Sequence, residues 1–391
     1  MGSPHSNSED RSAASRTPST SFDLLDESVR RWIWQKEWRE LRNIQDRAIP
    51  TIIGSDHDII IAAATAGGKT EAAFLPLLSR LITSNRVARG FNLLYVSPLK
   101  ALINDQFDRL SELCEMIKVP VHRWHGDVST AERKKARNKP NGILLITPES
   151  LEAVFVRRGS EVPDLFGALD SVVIDELHAL LCTPRGMHLR SLLNRLEIAV
   201  GRPIRRIGLS ATLGEPYIAG RFLREAAPEK VEILESESDG QELKVQLRGY
   251  VVGGLGGAGA SSVDQSKSKG VGIAGSELSA EHNIATHLFG VLRGTQNLVF
   301  AGTRHKVELY ADMLREMTED ARALNEFYPH HANLACDHRE FIEQRLKRAE
   351  EPSTAVCTST LELGIDIGVV ESVAQVGPPF SVASMRQRLG R

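Results

Sequence analysis

An apolar run that ends in a loop of small residues places the strongest constraint on this chain. Ile59-Ile60-Ile61-Ala62 leads into Ala63-Ala64-Thr65-Ala66-Gly67-Gly68-Lys69-Thr70, and the helix-forming Glu71-Ala72-Ala73-Phe74-Leu75 follows directly. A buried strand, a loop that lets the backbone approach an anion closely, and a helix presenting the positive end of its dipole together make a phosphate cradle. Thr65, Ala66, Gly67 and Gly68 would supply backbone N–H groups, Lys69 would reach the β and γ phosphates, and the Thr70 hydroxyl would face Mg²⁺. Ala66 stands where glycine is common, which stiffens the loop.

This run, 58–64, is followed by others of the same kind at 92–97, 142–147, 171–174 and 205–210. They are apolar on both faces and separated by amphipathic stretches, the pattern of a parallel sheet covered by helices. Residues 1–21 hold almost nothing to bury and are expected to be a disordered tail. Residues 22–232 then form a first α/β domain. From 233 to 391 the alternation repeats, with strands expected at 297–301 and 355–358 and helices over 278–292, from Thr303 and over 337–349. A Gly/Ser-rich stretch at 253–276 reads as a flexible loop and as the first internal site of protease attack.

Ser171-Val172-Val173-Ile174 runs into Asp175-Glu176-Leu177-His178. Two adjacent carboxylates at the carboxyl end of a buried strand are costly unless a cation or a substrate proton partners them. Asp175 is the expected partner of Mg²⁺, and Glu176 the group that polarises an attacking water. With Lys69 these acids make ATP and Mg²⁺ the expected cofactors and phosphoryl transfer the expected chemistry.

Further segments appear in a fixed order. Ile44-Gln45-Asp46-Arg47-Ala48-Ile49-Pro50 precedes the phosphate loop; Ser97-Pro98-Leu99-Lys100, His125-Gly126-Asp127, Thr147-Pro148-Glu149-Ser150 and Ser210-Ala211-Thr212 follow it. Thr303-Arg304, Thr358-Ser359-Thr360-Leu361-Glu362-Leu363-Gly364-Ile365-Asp366 and Gln387-Arg388-Leu389-Gly390-Arg391 lie in the second half. From residue 22 onward the chain thus resembles the superfamily 2 DEAD/DEAH box helicases. Arg185-Gly186-Met187-His188-Leu189, Arg195-Leu196-Glu197 and the segment 206–214 narrow the resemblance to the large-helicase-related (Lhr) group.

The resemblance implies two tandem RecA-like domains that hold ATP between them and a single strand across them. In it Gln45 reads the adenine edge, since an amide both donates and accepts, while Gly364, Asp366 and Arg388 contact the nucleotide and Arg391 reaches the γ-phosphate. His178, Ser210, Thr212 and Gln387 would couple hydrolysis to domain movement. Pro98, Lys100, Gly126, Thr147, Pro148, Thr303, Arg304, Thr358, Ser359 and Thr360 would contact the strand. The group implies 3′ to 5′ movement on single-stranded DNA and a role in repair. An RNA helicase of the same fold is the first alternative. The second is an ATP-gated binding module with slow turnover, because the last motif stops at Arg391 and the chain looks like a core cut from a longer protein.

Lys plus Arg number 48 against 50 for Asp plus Glu, so strand binding must use a local patch rather than a basic surface. Ser129-Thr130-Ala131-Glu132 has the form of a capping box opening the basic helix Arg133-Lys134-Lys135-Ala136-Arg137, expected to be a solvated face. Trp32, Trp34 and Trp38 fall on one expected helix that packs on the first domain, Phe22 is a candidate for stacking on adenine, and His330 and His331 for touching the strand or forming a polar loop pair. Cys114, Cys182, Cys336 and Cys357 are scattered, which suggests neither a zinc site nor a disulfide framework. With no run long enough to span a bilayer and no apolar signal core, a cytoplasmic protein without membrane partners is expected.

Overall fold

The computed structural model describes residues 20–63, 67–84, 89–211, 213–236, 244–250, 274–362, 367–379 and 382–389. Thr65, Ala66, Thr212, Gly364, Asp366 and Arg391 lie outside the described residues, as do 1–19 of the expected tail and 253–273 of the expected loop. The first domain opens with α1 (Thr20–Asp23), α2 (Glu27–Gln35) and α3 (Asn43–Gly54). It continues through β1 (Ile59–Ala62), α4 (Lys69–Thr83), β2 (Leu93–Val96), α5 (Lys100–Met116), β3 (Val121–Trp124), α6 (Thr130–Asn138) and β4 (Ile143–Ile146). There follow α7 (Pro148–Arg158), α8 (Val162–Phe166), β5 (Ser171–Ile174), α9 (Leu177–Leu180), α10 (Pro184–Val200), β6 (Arg205–Ser210), α11 (Pro216–Leu223) and β7 (Glu232–Glu235). The second domain comprises α12 (Ala274–Leu292), β8 (Gln296–Ala301), α13 (Arg304–Asp320), β9 (Phe327–His330), α14 (Cys336–Arg348), β10 (Ser353–Cys357), β11 (Ser372–Val376) and α15 (Val382–Leu389).

As expected, both domains are α/β, with parallel sheets in the orders β3-β4-β2-β5-β6-β1-β7 and β11-β8-β10-β9. The reason is visible in single strands. Ile59 and Ile61 of β1 enter the core on one face, with α3, α4 and α5, while Ile60 enters the core on the other, with α7 and α10. Leu93 and Tyr95 of β2 face the first of these cores, Leu94 and Val96 the second. Strands filled on both faces are stable only between covering helices.

Three boundaries differ from expectation. The first domain extends past residue 232, because β7 pairs in parallel with β1 along its whole length. At the other end the fold starts before Phe22: Ser21 is buried and donates to the Asp46 carbonyl at 2.9 Å. Residues 274–276, assigned to the flexible loop, belong to α12. The tryptophans also divide. Helix α2 stops at Gln35 and Glu37 takes a left-handed φ of 54°, so Trp38 folds back and meets buried Trp32 edge to face at 5.5 Å, while Trp34 is exposed.

The segments that carry the narrower resemblance tie helices together. Arg185 donates to both carboxylate oxygens of Glu149, at 2.6 and 2.9 Å, and His188 meets Glu152 at 2.7 Å, so α10 is clamped to α7. Burial works against the Glu149 carboxylate, but Arg185 holds it below its ordinary value. Arg206 pairs with Glu197 at 2.8 Å inside the domain. Gly186 lies in the first turn of α10, where a Cβ would stand 1.9 Å from the Leu180 carbonyl oxygen. That oxygen is backbone and cannot move aside, so Gly186→Ala is expected to destabilise the protein by about 1–3 kcal/mol. A lowered urea midpoint with unchanged slope would show it; an unchanged midpoint would mean that the α9–α10 corner relaxes freely.

Candidate active site

The sheet order sorts the motifs. Strands β5, β6 and β1 are neighbours, and from their carboxyl ends come Asp175 and Glu176, Ser210, and the phosphate loop with Gly67 and Gly68. Strands β3, β4 and β2 form the other end of the sheet, and beyond them come Gly126, Thr147 and Pro148, and Pro98 and Lys100. Ligands of open parallel sheets bind outside these carboxyl ends. One edge therefore carries the two groups of candidate residues side by side.

At the phosphate loop Lys69 opens α4 and donates to the Ala63 carbonyl at 2.8 Å, which fixes its ammonium across the loop. Thr70 follows in the first turn. Gly68 has φ +80°, a conformation that favours glycine, and a Cβ there would lie 2.5 Å from Gln45 Nε2, so that side chain would have to shift. Gln45 is tied to the loop itself. Its side chain is 1% exposed; Oε1 accepts from Arg42 N–H at 3.0 Å and Nε2 donates toward the Gly68 carbonyl at 3.4 Å. The amide braces the loop through these two bonds. Phe22 likewise packs against the core beneath.

Asp175 and Glu176 are both buried at the end of β5. Asp175 Oδ1 accepts from Glu176 N–H at 2.9 Å, and Oδ2 accepts from the Tyr95 hydroxyl. Burial, and then the neighbouring Asp175 charge, push the Tyr95 phenol well above its ordinary value, so it remains a donor. Glu176 takes a left-handed conformation, φ 48° and ψ 46°, which costs a non-glycine residue about 1–2 kcal/mol and turns its side chain out of the strand direction.

His178 links these acids to the rest. Its Nδ1 lies 3.2 Å from Ser210 Oγ and its Nε2 3.1 Å from Gln387 Oε1 on α15 of the second domain. Gln387 Oε1 can only accept, so Nε2 carries the proton and Nδ1 accepts from Ser210. Burial lowers the imidazole pKa below its ordinary value, against the Gln387 bond and the Asp175 and Glu362 charges that raise it, with Lys69 adding to the lowering.

Arg388, expected at the nucleotide, is turned into the second domain. Its Nε and Nη2 donate to Glu362 Oε2 at 3.0 and 2.5 Å, Nη1 donates to Gln375, and the guanidinium lies 4.4 Å over the Phe300 ring. A cation so engaged is a structural clamp, because leaving it would strand a buried carboxylate.

Among the strand candidates, Lys100 pairs with Asp127 at 2.8 Å, and a Cβ on Gly126 would lie 3.4 Å from its ammonium. The Thr147 hydroxyl caps α7, accepting from Ser150 N–H at 3.3 Å, with Pro148 at the first helical position. Thr303 caps α13 through Lys306 N–H at 3.2 Å, and Arg304 is exposed beside it. Thr358, Ser359 and Thr360 follow β10. Thr360 Oγ1 lies 2.9 Å from His330 Nδ1, whose Nε2 meets Glu343 at 3.0 Å, and His331 meets Glu308 at 3.1 Å. Both histidines are buried; His330 holds this loop, while His331 reaches α13 instead. Tyr95, Glu362 and His330 were not singled out for these roles from the sequence. Tyr95 left one signal, a hydroxyl inside an otherwise aliphatic buried strand that needs a partner.

Residues 42–218 match the DEAD/DEAH box helicase family, and residues 281–391 match the helicase conserved C-terminal domain. The chain is 29% identical to the ATP-dependent helicase Lhr-Core of Sulfolobus acidocaldarius, over 95% of this chain and 41% of that protein. It is 30% identical to ATP-dependent helicase Lhr-Core protein 2 of Thermococcus barophilus, over 95% of this chain and 42% of that protein. The structure of Mycobacterium smegmatis helicase Lhr bound to ssDNA and AMP-PNP superposes with a TM-score of 0.73 at 29% identity, covering 95% of this chain and 46% of that one. The chain thus spans less than half the length of these relatives. No helix among the described residues is long and apolar enough to cross a membrane.

Proposed function

We propose, since the chain belongs to the DEAD/DEAH box helicases of superfamily 2 and among them to the Lhr group, that it hydrolyses ATP to move along a single strand of nucleic acid. The observation that carries this reading is the pair of bonds at His178. The segment bearing Asp175 and Glu176 is tied through one imidazole to Ser210 of its own domain and to Gln387 of the other. A change at the γ-phosphate then alters a contact between domains, and alternate closing and opening of the cleft moves the strand.

Thr70 and Asp175 are hard oxygen donors suited to Mg²⁺, which is normally held by one or two protein oxygens together with substrate phosphates. No cluster of three or more acidic, His or Cys side chains that could cage a metal is found among the described residues, in keeping with that mode. Bound there, the ion would neutralise phosphate charge; Lys69 supplies the remaining cation and Glu176 takes the proton of the attacking water.

The strand crosses Lys100, Gly126, Thr147 and the Thr358–Thr360 turn, held by backbone and hydroxyl contacts to phosphates. Single-stranded DNA is favoured over RNA, with 3′ to 5′ movement and a role in DNA repair or related processing; a similar protein of known structure holds ssDNA. ATP turnover with matched DNA and RNA oligonucleotides tests the substrate, and displacement of duplexes bearing 3′ or 5′ tails tests direction. Stronger stimulation by DNA and displacement from 3′ tails are expected. Preference for RNA would overturn the substrate assignment, and stimulation by neither would overturn the translocase reading.

A further inference from the structure

Helices α6 and α7 flank an open-sided cavity of about 360 Å³ beside β3 and β4. Arg133, Lys134 and Arg137 line it from α6, and Arg157 and Arg158 from α7; no acidic side chain does. Trp124, 8% exposed, and Val154, 2% exposed, also line it. Five cations gather here in a chain whose formal net charge is −2. Their mutual repulsion is only partly relieved. Arg158 pairs with Glu161 at 2.9 Å and Arg137 reaches the same carboxylate at 4.0 Å. Among the described residues no ion pair holds Lys134 or Arg157, Arg133 meets only the Thr130 hydroxyl, at 3.5 Å, and its Nε is buried without a hydrogen-bond partner.

We infer that this cavity is a second nucleic-acid site, which takes the phosphodiester backbone of substrate lying beyond the cleft. The assignment rests on the nucleic-acid reading above and on position. Helix α6 begins at Thr130, just past Asp127, the partner of Lys100, and α7 begins at Pro148 with Thr147 as its cap, so both helices start at the proposed strand track on its β3 side, away from the nucleotide, and the lining residues of α7 follow in its second half. An apolar lining beneath a cationic rim suits a sugar with its flanking phosphates, and such contacts carry no base preference.

The test neutralises the three cations without an acidic partner, Arg133→Gln, Lys134→Gln and Arg157→Gln together, in the full chain. Two ligands are compared by anisotropy across salt: an oligonucleotide of about ten nucleotides, within the span of one strand groove, and the same strand continued into a duplex. The triple variant is expected to bind the short strand, and to hydrolyse ATP with it, as the wild type does. On the tailed duplex it should lose about tenfold in affinity near 0.1 M salt, and its log K against log salt slope should flatten by about 2. Arg133→Lys with Arg157→Lys keeps the charge and should keep the affinity. Equal loss on both ligands, no loss on the duplex, or displacement of duplex DNA by poly-glutamate as effectively as by DNA would each overturn the site. A wild type that binds neither ligand would instead remove the nucleic-acid reading itself.

Discussion

Lys69→Ala is expected to lower ATP turnover by about 10²–10³-fold or more while leaving the fold intact. Charge developing on the transferred phosphoryl group must be met within the loop, and the neighbouring described residues Ala63, Gly67 and Gly68 offer backbone dipoles but no second cation. The ammonium already lies across the loop, held by the Ala63 carbonyl at 2.8 Å, so little reorganisation is needed when phosphates arrive. Lys69→Arg should fare little better, because a planar fork cannot take the place of a compact point charge in a loop this close. Turnover and nucleotide affinity measured together check the claim. Unchanged turnover would remove the phosphate-loop assignment, and with it the ATPase reading.

Glu176→Gln is expected to keep ATP binding and lose about 10²–10⁴-fold in turnover, since an amide preserves shape but cannot accept the proton of the attacking water. The local geometry makes the comparison clean. Asp175 keeps its bonds from Tyr95 and from the backbone N–H of residue 176, both independent of the Glu176 carboxylate. The left-handed backbone at 176 is set by the turn between β5 and α9, and Gln tolerates it no worse than Glu. Loss of ATP binding together with turnover would assign Glu176 to holding the site's structure and leave the proton acceptor unassigned.

How much of this was legible in the sequence depends on how local each feature is. The interior strands β1, β2, β4, β5, β6, β8 and β10 all fall on runs read as strands. The four strands with no such signal are β3 and β7, the edges of the first sheet, and β9 and β11, the edges of the second. An edge strand has a neighbour on one side only and tolerates polar residues such as His122, Arg123, Glu232 and Gln375, or a proline such as Pro329. Its signature is therefore diluted. Missing β7 also set the expected domain boundary too early.

The site divides in the same way. Lys69, Thr70, Asp175 and Glu176 are proposed from the chain alone because phosphate chemistry would require such groups at fixed places after a buried strand, within a few consecutive residues. Which group a long polar side chain actually meets was decided only by the tertiary structure. Arg388 found Glu362, Gln375 and Phe300; Gln45 found Gly68; His330 found Thr360 and Glu343; Tyr95 found Asp175. The cationic cavity is of this kind too, because the basic run on α6 became a site only when α7 brought Arg157 and Arg158 opposite it. Backbone conformation and burial pattern are set largely by near neighbours along the chain. The partner of a buried charge is set by whatever the packed sheet and helices bring within hydrogen-bonding reach, at sequence separations that no local pattern encodes.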